Sequence, residues 1–327
     1  MISRVASYCF WMNRYLERVE ILARLQDVNM AFQLDVDLPD ADRWRPLVIV
    51  TGQQEHYQRT VREPERDDAN VAQHYLTWNA ENPSSIVSSL ATARENARTI
   101  RETISLEMWE TINDLWLWLG SRTAKRLFDE ARHTFYRHLK QHCLLFHGVA
   151  EATMLHDEPF RFMRLGTTLE RAAQTARLLD VKHHSMGPGD DEVESPSEAA
   201  QWLATLRYCS GVEPFFKRDV TNFSGRAVAQ FLLFDHAFPR SVACNLERSK
   251  NLVRLIRMKG SSIGQRSTAR IEGMLDRLRI LSENPETLRD LHALFTWIVD
   301  STIQVCSLVS DEFFEPAAPH SQVQRQS

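Results

Sequence analysis

Apolar side chains recur at every third or fourth position along most of this chain, the spacing that places them on one face of an α-helix. In the first long segment the apolar stripe consists of Val5, Cys9, Met12, Leu16, Val19 and Ala23. Helix-breaking residues are scarce, with 11 glycines and 12 prolines among 327 residues. The pattern therefore predicts an all-α fold, with helices near residues 3–34, 83–105, 107–119, 121–146, 159–182, 198–211, 225–237, 239–258, 266–283 and 286–312.

Stretches without this periodicity are predicted to be loops. Residues 35–46 and 62–69 are acidic and contain proline, and residues 183–199 form an acidic loop rich in Gly, Pro and Ser. Capping residues predict helix starts at Ser84–Ser85 and at Asn284–Pro285. The β-like run at 47–50 is interpreted as the start of a helix or a buried connection, and residues 316–327 as a disordered tail.

The chain contains an internal repeat. Residues 15–28 align without gaps to residues 168–181 with eight identical pairs, so that Glu17-Arg18 recurs as Glu170-Arg171. Residues 75–101 align in the same way to residues 231–257. Because this period is too long for a solenoid array, we interpret the chain as two tandem, pseudo-symmetric helical repeats, at 1–150 and 155–315, packed about a pseudo-twofold axis into one bundle-like body.

The repeated segment carries a charged stripe. On a helical projection Asn13, Glu17, Glu20, Arg24 and Asp27 share an arc that has apolar residues on both sides. A solvated face would be polar throughout, so the stripe is expected to be partly buried, and buried charges must be paired. The spacing predicts two ion pairs, between Glu20 and Arg24 at i,i+4 and between Arg24 and Asp27 at i,i+3.

The second copy keeps part of this stripe. Glu170, Arg177 and Asp180 recur, but Ala173 stands at the position of Glu20. Arg177 therefore lacks the acid four residues before it, and we expect its carboxylate partner on another helix. The candidate functional residues are Asn13, Glu17, Arg18, Glu20, Arg24, Asp27, Glu170, Arg171, Arg177 and Asp180.

Three interpretations are open for these residues. They could form a buried ion-pair network that sets the register between the two copies. They could instead line a cleft for a charged ligand or a partner's peptide, since the guanidinium fork suits carboxylate or phosphate. They could also be a plain surface pattern. We predict that the two helices that carry the stripe face each other.

Composition limits the classes of function. Hydrophobic residues make up 43% of the chain and charged residues 25%, with a net charge of −4 and no basic cluster, so we expect no nucleic-acid partner. The five cysteines are scattered without a CxxC motif, as is usual in a reducing compartment. The N-terminus lacks the apolar core of a signal peptide, and the apolar runs are too short to span a bilayer. We therefore expect a cytoplasmic protein without a membrane partner.

Histidines cluster at positions 133, 138, 142, 147 and 156. Glu130 and His133 form a single ExxH motif, whereas a di-metal helical bundle needs two. The chain has no phosphate-binding glycine loop and no HExxH motif. We therefore expect neither a metal nor another cofactor, and no catalytic residue is assigned from motifs.

The run Arg-Tyr-Leu-Glu-Arg-Val-Glu at 14–20, continued to Val28, resembles the signature of the bacterial Alpha-E proteins. The resemblance covers nearly the whole chain, including residues 101–113 and 239–242. These all-helical proteins are named for an E–R motif, and are typically encoded beside, or fused to, circularly permuted ATP-grasp ligases and transglutaminase-like proteins, sometimes with a proteasome-related peptidase. The resemblance implies a setting in which a peptide or amide product is made or processed.

The expected function is therefore an accessory or substrate-presenting component of an ATP-grasp-type amide ligase system, without catalysis of its own. The ligase and a transglutaminase-like protein are the implied partners, as separate polypeptides. Two alternatives are an enzyme acting on a peptide or amino-acid conjugate, with Glu17 and Glu170 as acid/base groups, and a purely structural scaffold. A homo-oligomer is compatible with each of them.

Overall fold

The computed structural model describes residues 3–35, 40–186, 196–218, 223–256, 262–283 and 291–314. Within these ranges the regular secondary structure is helical, without a β-strand, and the protein is all-α as the sequence predicts. The helices are α1 (Ser3–Asp35), α2 (Asp40–Val50), α3 (Gln54–Thr60), α4 (Ala69–Trp78), α5 (Ile86–Thr99), α6 (Leu106–Leu119), α7 (Arg122–Glu130), α8 (Arg132–Thr153), α9 (Glu158–Met186), α10 (Pro196–Tyr208), α11 (Val212–Phe216), α12 (Gly225–Phe234), α13 (Val242–Ile256), α14 (Gln265–Glu283) and α15 (Leu291–Val309). A 3₁₀ turn at Glu63–Glu65 and a π-helical turn at Ser310–Phe314 complete them.

Helices α1 and α9, which carry the two copies of the repeated segment, pack against each other at the centre of the fold. Helix α1 also contacts α5, α8 and α10, while α9 contacts α13, α15 and α2. On the outside, α6 packs against α5 and α8, and α14 packs against α13 and α15. The prediction that the stripe-bearing helices face each other is confirmed. Helix α1 packs against α5 and α8 in the first half, and α9 packs in the same way against α13 and α15 in the second half. That the two halves arose by duplication stays a prediction.

The two central helices approach each other closely at Gly166 of α9. A Cβ atom at this position would lie 2.3 Å from the carbonyl oxygen of Phe10 in α1. Because that atom belongs to helix backbone, a side chain at this position would push the helices apart, so the contact needs glycine. Glu170 lies one turn further along α9, and the close approach lets it reach side chains of α1.

Serine side chains begin several helices. The N-caps of α5, α6, α7 and α12 are Ser85, Ser105, Ser121 and Ser224, and each hydroxyl accepts a hydrogen bond from an amide of the first turn. Such caps satisfy amides that have no partner inside the helix. The predicted start at Ser84–Ser85 is thereby assigned to Ser85, while the predicted start at Asn284–Pro285 lies outside the described residues.

The predicted loop at 35–46 is wrong for residues 40–46, which belong to α2. Acidic residues and Pro46 disfavour a helix here, but Trp44, Leu47, Val48 and Val50 are buried. Burial of these side chains offsets the hydrogen bond that proline cannot make. The run at 47–50 is the C-terminal end of this helix, so neither alternative given for it, the start of a helix or a buried connection, is correct.

Other predicted boundaries also change. The helix predicted at 121–146 is interrupted at Ala131 (φ −149°, ψ 57°), which separates α7 from α8. The helix predicted at 83–105 ends at Thr99. Residues 183–186 and 196–199 of the predicted acidic loop are helical, in α9 and α10. Helices α3, α4 and α11 were not predicted, and the tail at 316–327 lies outside the described residues.

One segment, Leu291–Phe314, is long and apolar enough to cross a membrane by length and composition alone. The sequence estimate missed it because Asp300 interrupts the apolar run. Its residues Phe295, Ile298 and Val305 are buried, and α15 packs against α9 and α14. This helix therefore forms part of the core between the second-half helices.

Candidate functional site

The two Glu-Arg dipeptides of the repeat meet between α1 and α9 and pair crosswise. Arg171 donates from Nε and Nη2 to the two carboxylate oxygens of Glu17, at 2.7 and 2.9 Å. Arg18 donates in the same way to Glu170, at 2.7 and 3.3 Å. Glu17 and Glu170 are each 1% exposed. Each glutamate thus binds the arginine of the other copy, which makes the motif a connection between the two halves.

Two further donors complete the environment of Glu170. Arg14 Nε donates to its Oε2 atom at 2.8 Å, and Gln174 Nε2 donates to its Oε1 atom at 3.0 Å. Burial opposes ionisation, but the charges of Arg14 and Arg18 outweigh it and lower the pKa of Glu170 to about 2. This carboxylate is therefore ionised and fully hydrogen-bonded at neutral pH.

Glu17 and Glu20 share one arginine that the sequence analysis did not select. Arg240, between α12 and α13, donates to Glu17 at 3.3 Å and to Glu20 at 2.7 Å. Arg24 Nε donates to Glu20 at 3.0 Å, which confirms the predicted i,i+4 pair. Burial raises the pKa of both glutamates, but Arg171 and Arg240 at Glu17, and Arg240 and Arg24 at Glu20, hold each pKa below its ordinary value.

The aspartates of the stripe point to other helices. Asp27 accepts hydrogen bonds from Lys140 at 2.7 Å and pairs with His133 at 2.5 Å, both in α8. The predicted Arg24–Asp27 pair is therefore wrong, because the Arg24 guanidinium is directed to Glu20 and to the hydroxyl of Ser210.

Asp180, the second-copy counterpart of Asp27, pairs with His292 of α15 at 2.6 Å. Asn13 donates to the carbonyl of Cys9 at 3.3 Å, within α1. These two residues belong to the stripe in sequence but lie apart from the crossed glutamate–arginine network.

Arg177 does not find the carboxylate expected for it. Within the described ranges its guanidinium makes no ion pair and no hydrogen bond. Burial lowers the pKa of Arg177, although the charge of nearby Glu170 opposes this. The guanidinium lies beside the turn at Gly52 and, with Arg18 and Gln174, lines a cavity of about 320 Å³.

Sequence reasoning missed Arg14, Gln174 and Arg240. Arg14 lies one turn before Glu17–Arg18, so the projection could have included it at the edge of the stripe. Gln174 follows Glu170 at i,i+4 and could have been found in the same way. No local pattern reveals Arg240, because 220 residues separate it from Glu20.

The clustered histidines have separate surroundings. The His138 ring packs at a tilt against the rings of Trp118 and His142, with centroids 3.8 and 4.0 Å apart, and burial lowers the pKa of His138 to about 4. His147 Nε2 lies 3.5 Å from Glu17, and His156 stacks on Phe160. Among the residues with described side chains, no three His, Cys, Asp or Glu side chains are grouped to hold a metal ion.

The network is poorly suited to acid–base catalysis. A general acid or base works best with a pKa near the operating pH and a proton that substrate can reach. Glu17 and Glu170 are buried, and the neighbouring arginines lower their pKa values. A useful general acid needs a raised pKa instead. The geometry fits the interpretation of a buried ion-pair network between the two halves, with a cavity beside Arg177.

Comparison with known proteins identifies a family that is described by the same Glu-Arg motif. The Alpha-E family, described as "a predicted alpha-helical domain with a conserved ER motif", matches residues 1–314. Uncharacterized proteins of Mycobacterium bovis and Mycobacterium tuberculosis are 28% identical over 313 residues, covering 89% of this chain and 33% of each relative. The chain thus spans about a third of the length of the curated relatives it matches. No solved structure matches it. The chain belongs to the Alpha-E family.

Proposed function

We propose that this protein is a cytoplasmic, accessory component of an ATP-grasp-type amide ligase system, which presents substrate or holds the ligase complex together. The observation that carries the proposal is the crossed glutamate–arginine network. It uses the family motif to join α1 to α9, with its carboxylates buried and neutralised. A motif used in this way supports a rigid binding component better than a catalytic centre.

The length of the relatives supports an accessory role. In the mycobacterial proteins the matching region makes up 33% of the sequence, so the helical unit occurs there within larger proteins. A unit that occurs inside longer chains is suited to work next to other domains. The circularly permuted ATP-grasp ligase, and secondarily a transglutaminase-like protein, are the partners that the family resemblance suggests.

Exposed leucines offer a surface for such a partner. Leu106 and Leu117 of α6 are 62% and 60% exposed, and Leu144 and Leu145 of α8 are 48% and 52% exposed. Helices α6 and α8 pack side by side. Single exposed apolar side chains are common on protein surfaces, but several on two adjacent helices suit a protein contact.

The first experiment is co-purification of the tagged chain from its native host, with identification of bound proteins by mass spectrometry. The ATP-grasp protein that is recovered is then purified, and its ATP turnover is measured with and without this chain. We expect no ATP turnover by the chain alone and an increase in turnover by the ligase when the chain is added. Light scattering of the chain alone measures its oligomeric state.

Surface variants make this experiment specific. Leu145→Glu should weaken the stimulation of the ligase, whereas Leu255→Glu, 60% exposed on α13, should leave it unchanged. Both variants should melt like the wild type, since both side chains are exposed. Recovery of no ATP-grasp protein, or ATP turnover by the pure chain that a change at Glu17 abolishes, would contradict the proposal.

A further inference from the structure

The cavity beside Arg177 lies between α1, α9, the turn after α2 and the segment before α5. Its volume of about 320 Å³ lies at the small end of the range for small-molecule pockets. Among the residues with described side chains, the charged ones in its lining are Arg18 and Arg177, and none is an acid. Leu22 and Leu25 of α1 form part of an apolar wall, and Ser84 contributes a hydroxyl.

The positive charges around this cavity outnumber the carboxylates that pair with them. Arg18 and Arg14 both bind Glu170, so a single carboxylate serves two guanidiniums. Arg177 adds a third cation nearby, which forms no ion pair within the described ranges, although the charges of Glu170 and Asp300 act on it. Desolvation of an unpaired charge is costly, and an anionic ligand would relieve that cost.

The first half of the molecule shows which groups surround the equivalent arginine there. Arg24 aligns with Arg177 in the repeat, and it binds the Glu20 carboxylate and the Ser210 hydroxyl. Arg240 donates to the same carboxylate at 2.7 Å. The equivalent space in that half is therefore occupied by a glutamate and an arginine.

Small residues stand at the equivalent positions around Arg177. Ala173 aligns with Glu20, and Ser84 aligns with Arg240. Gly52 (φ 71°) occupies the same left-handed turn position as Ser210 (φ 52°), each just before the N-cap of the next helix. A Cβ at Gly52 would lie 3.9 Å from Arg177 Nη1, where Ser210 supplies a hydroxyl to Arg24. The cavity is thus the space that the longer side chains fill in the other half.

We propose that this cavity binds the carboxylate of a small ligand, an N-acylated amino acid or a peptide C-terminus, against Arg177. The ligand carboxylate takes the place that the Glu20 carboxylate holds against Arg24. The guanidinium fork binds it in two parallel hydrogen bonds, and Leu22 and Leu25 contact its aliphatic part. The Ser84 hydroxyl accepts from Gln53 Nε2 at 3.2 Å and keeps its proton to donate.

The lining also discriminates between carboxylates. A free amino acid carries an ammonium group, and the described lining residues offer it two arginines and no acid. An acylated nitrogen is neutral, so it enters without that repulsion. The chain would bind this ligand by itself, whether or not the ligase partnership proposed above exists.

The test is a calorimetric titration of the full chain with N-acetylglycine, N-acetylglycinamide, glycine and inorganic phosphate. We expect saturable binding of N-acetylglycine, weaker binding of glycine, none of the amide, and no tighter binding of phosphate. Arg177→Met should lower the affinity for N-acetylglycine by about tenfold or more. Arg126→Met, which removes an exposed arginine of α7, should leave the affinity unchanged.

A second variant gives Arg177 a carboxylate partner within α9. Ala173→Glu places a carboxylate four residues before Arg177, as Glu20 stands before Arg24, and should abolish binding. If Ala173→Glu fails to fold, Arg177→Met decides, and its melting temperature should match or exceed that of the wild type because Arg177 makes no ion pair in the described structure. The inference is overturned if N-acetylglycine does not saturate, if Arg177→Met binds it unchanged, if the amide binds equally, or if phosphate binds more tightly.

Discussion

Replacement of Glu170 with glutamine tests the crossed network most directly. The carboxylate accepts hydrogen bonds from Arg14, Arg18 and Gln174 and is almost completely buried. Glutamine keeps the shape of the side chain but removes its charge, which leaves Arg14 and Arg18 without a counter-charge beside Arg177. We expect the free energy of unfolding at pH 7 to fall by about 3–5 kcal/mol, the usual cost of breaking a buried ion pair.

The pKa of Glu170 adds a pH dependence with a definite sign. The folded-state pKa is about 2, against an ordinary value of 4.5. Because the folded carboxyl group binds protons more weakly than the unfolded one, its stabilisation is complete above its ordinary pKa and is lost as the pH falls towards the folded value. The difference between the two pKa values corresponds to about 3 kcal/mol, of which about 1 kcal/mol is lost by pH 3.5.

The assay is urea unfolding followed by circular dichroism, at pH 7 and at pH 3.5, for the wild type and Glu170→Gln. The difference in free energy of unfolding between the two proteins should shrink by about 1 kcal/mol at the lower pH, because only the wild type loses this contribution. Glu81→Gln, at an exposed glutamate, serves as the control and should stay close to the wild type at both pH values. A gap below about 1 kcal/mol at pH 7, or an equal gap at both pH values, would refute the buried network.

Two further substitutions test the network and the helix contact beneath it. Arg240→Met should lower the free energy of unfolding by about 3–5 kcal/mol, because Arg240 joins two buried glutamates. Arg98→Met, in an exposed ion pair, should lower it by about 1 kcal/mol or less. Equal urea midpoints for the two variants would contradict this expectation. Gly166→Ala should lower the melting temperature strongly, because its Cβ would lie 2.3 Å from Phe10 backbone, whereas Gly148→Ala, with nothing within 4 Å, should be neutral or stabilising by about 0.5–1 kcal/mol. A Gly166→Ala protein that melts like the wild type would show that the central helices are further apart.

Much of the molecule follows from the sequence alone. The 3.6-residue period of apolar positions determined the all-α class and most long helices, because it reflects the geometry of a helix in any surroundings. The position of charged residues between two apolar stripes predicted that α1 and α9 would face each other, and the Glu20–Arg24 pair followed from i,i+4 spacing. The Glu20–Arg24 pair lies on one helix, where distance along the sequence fixes distance in space.

The tertiary structure decided what the sequence left open. It placed Arg240 against Glu20 across 220 residues, and it paired Asp27 with α8 rather than with Arg24. It made residues 40–46 helical through burial of Trp44, against their local preference. Above all it left Arg177 facing a cavity instead of a carboxylate. The partners of a buried charge depend on which helices meet and on the volume of every side chain between them, and these are properties of the packed fold rather than of any local pattern.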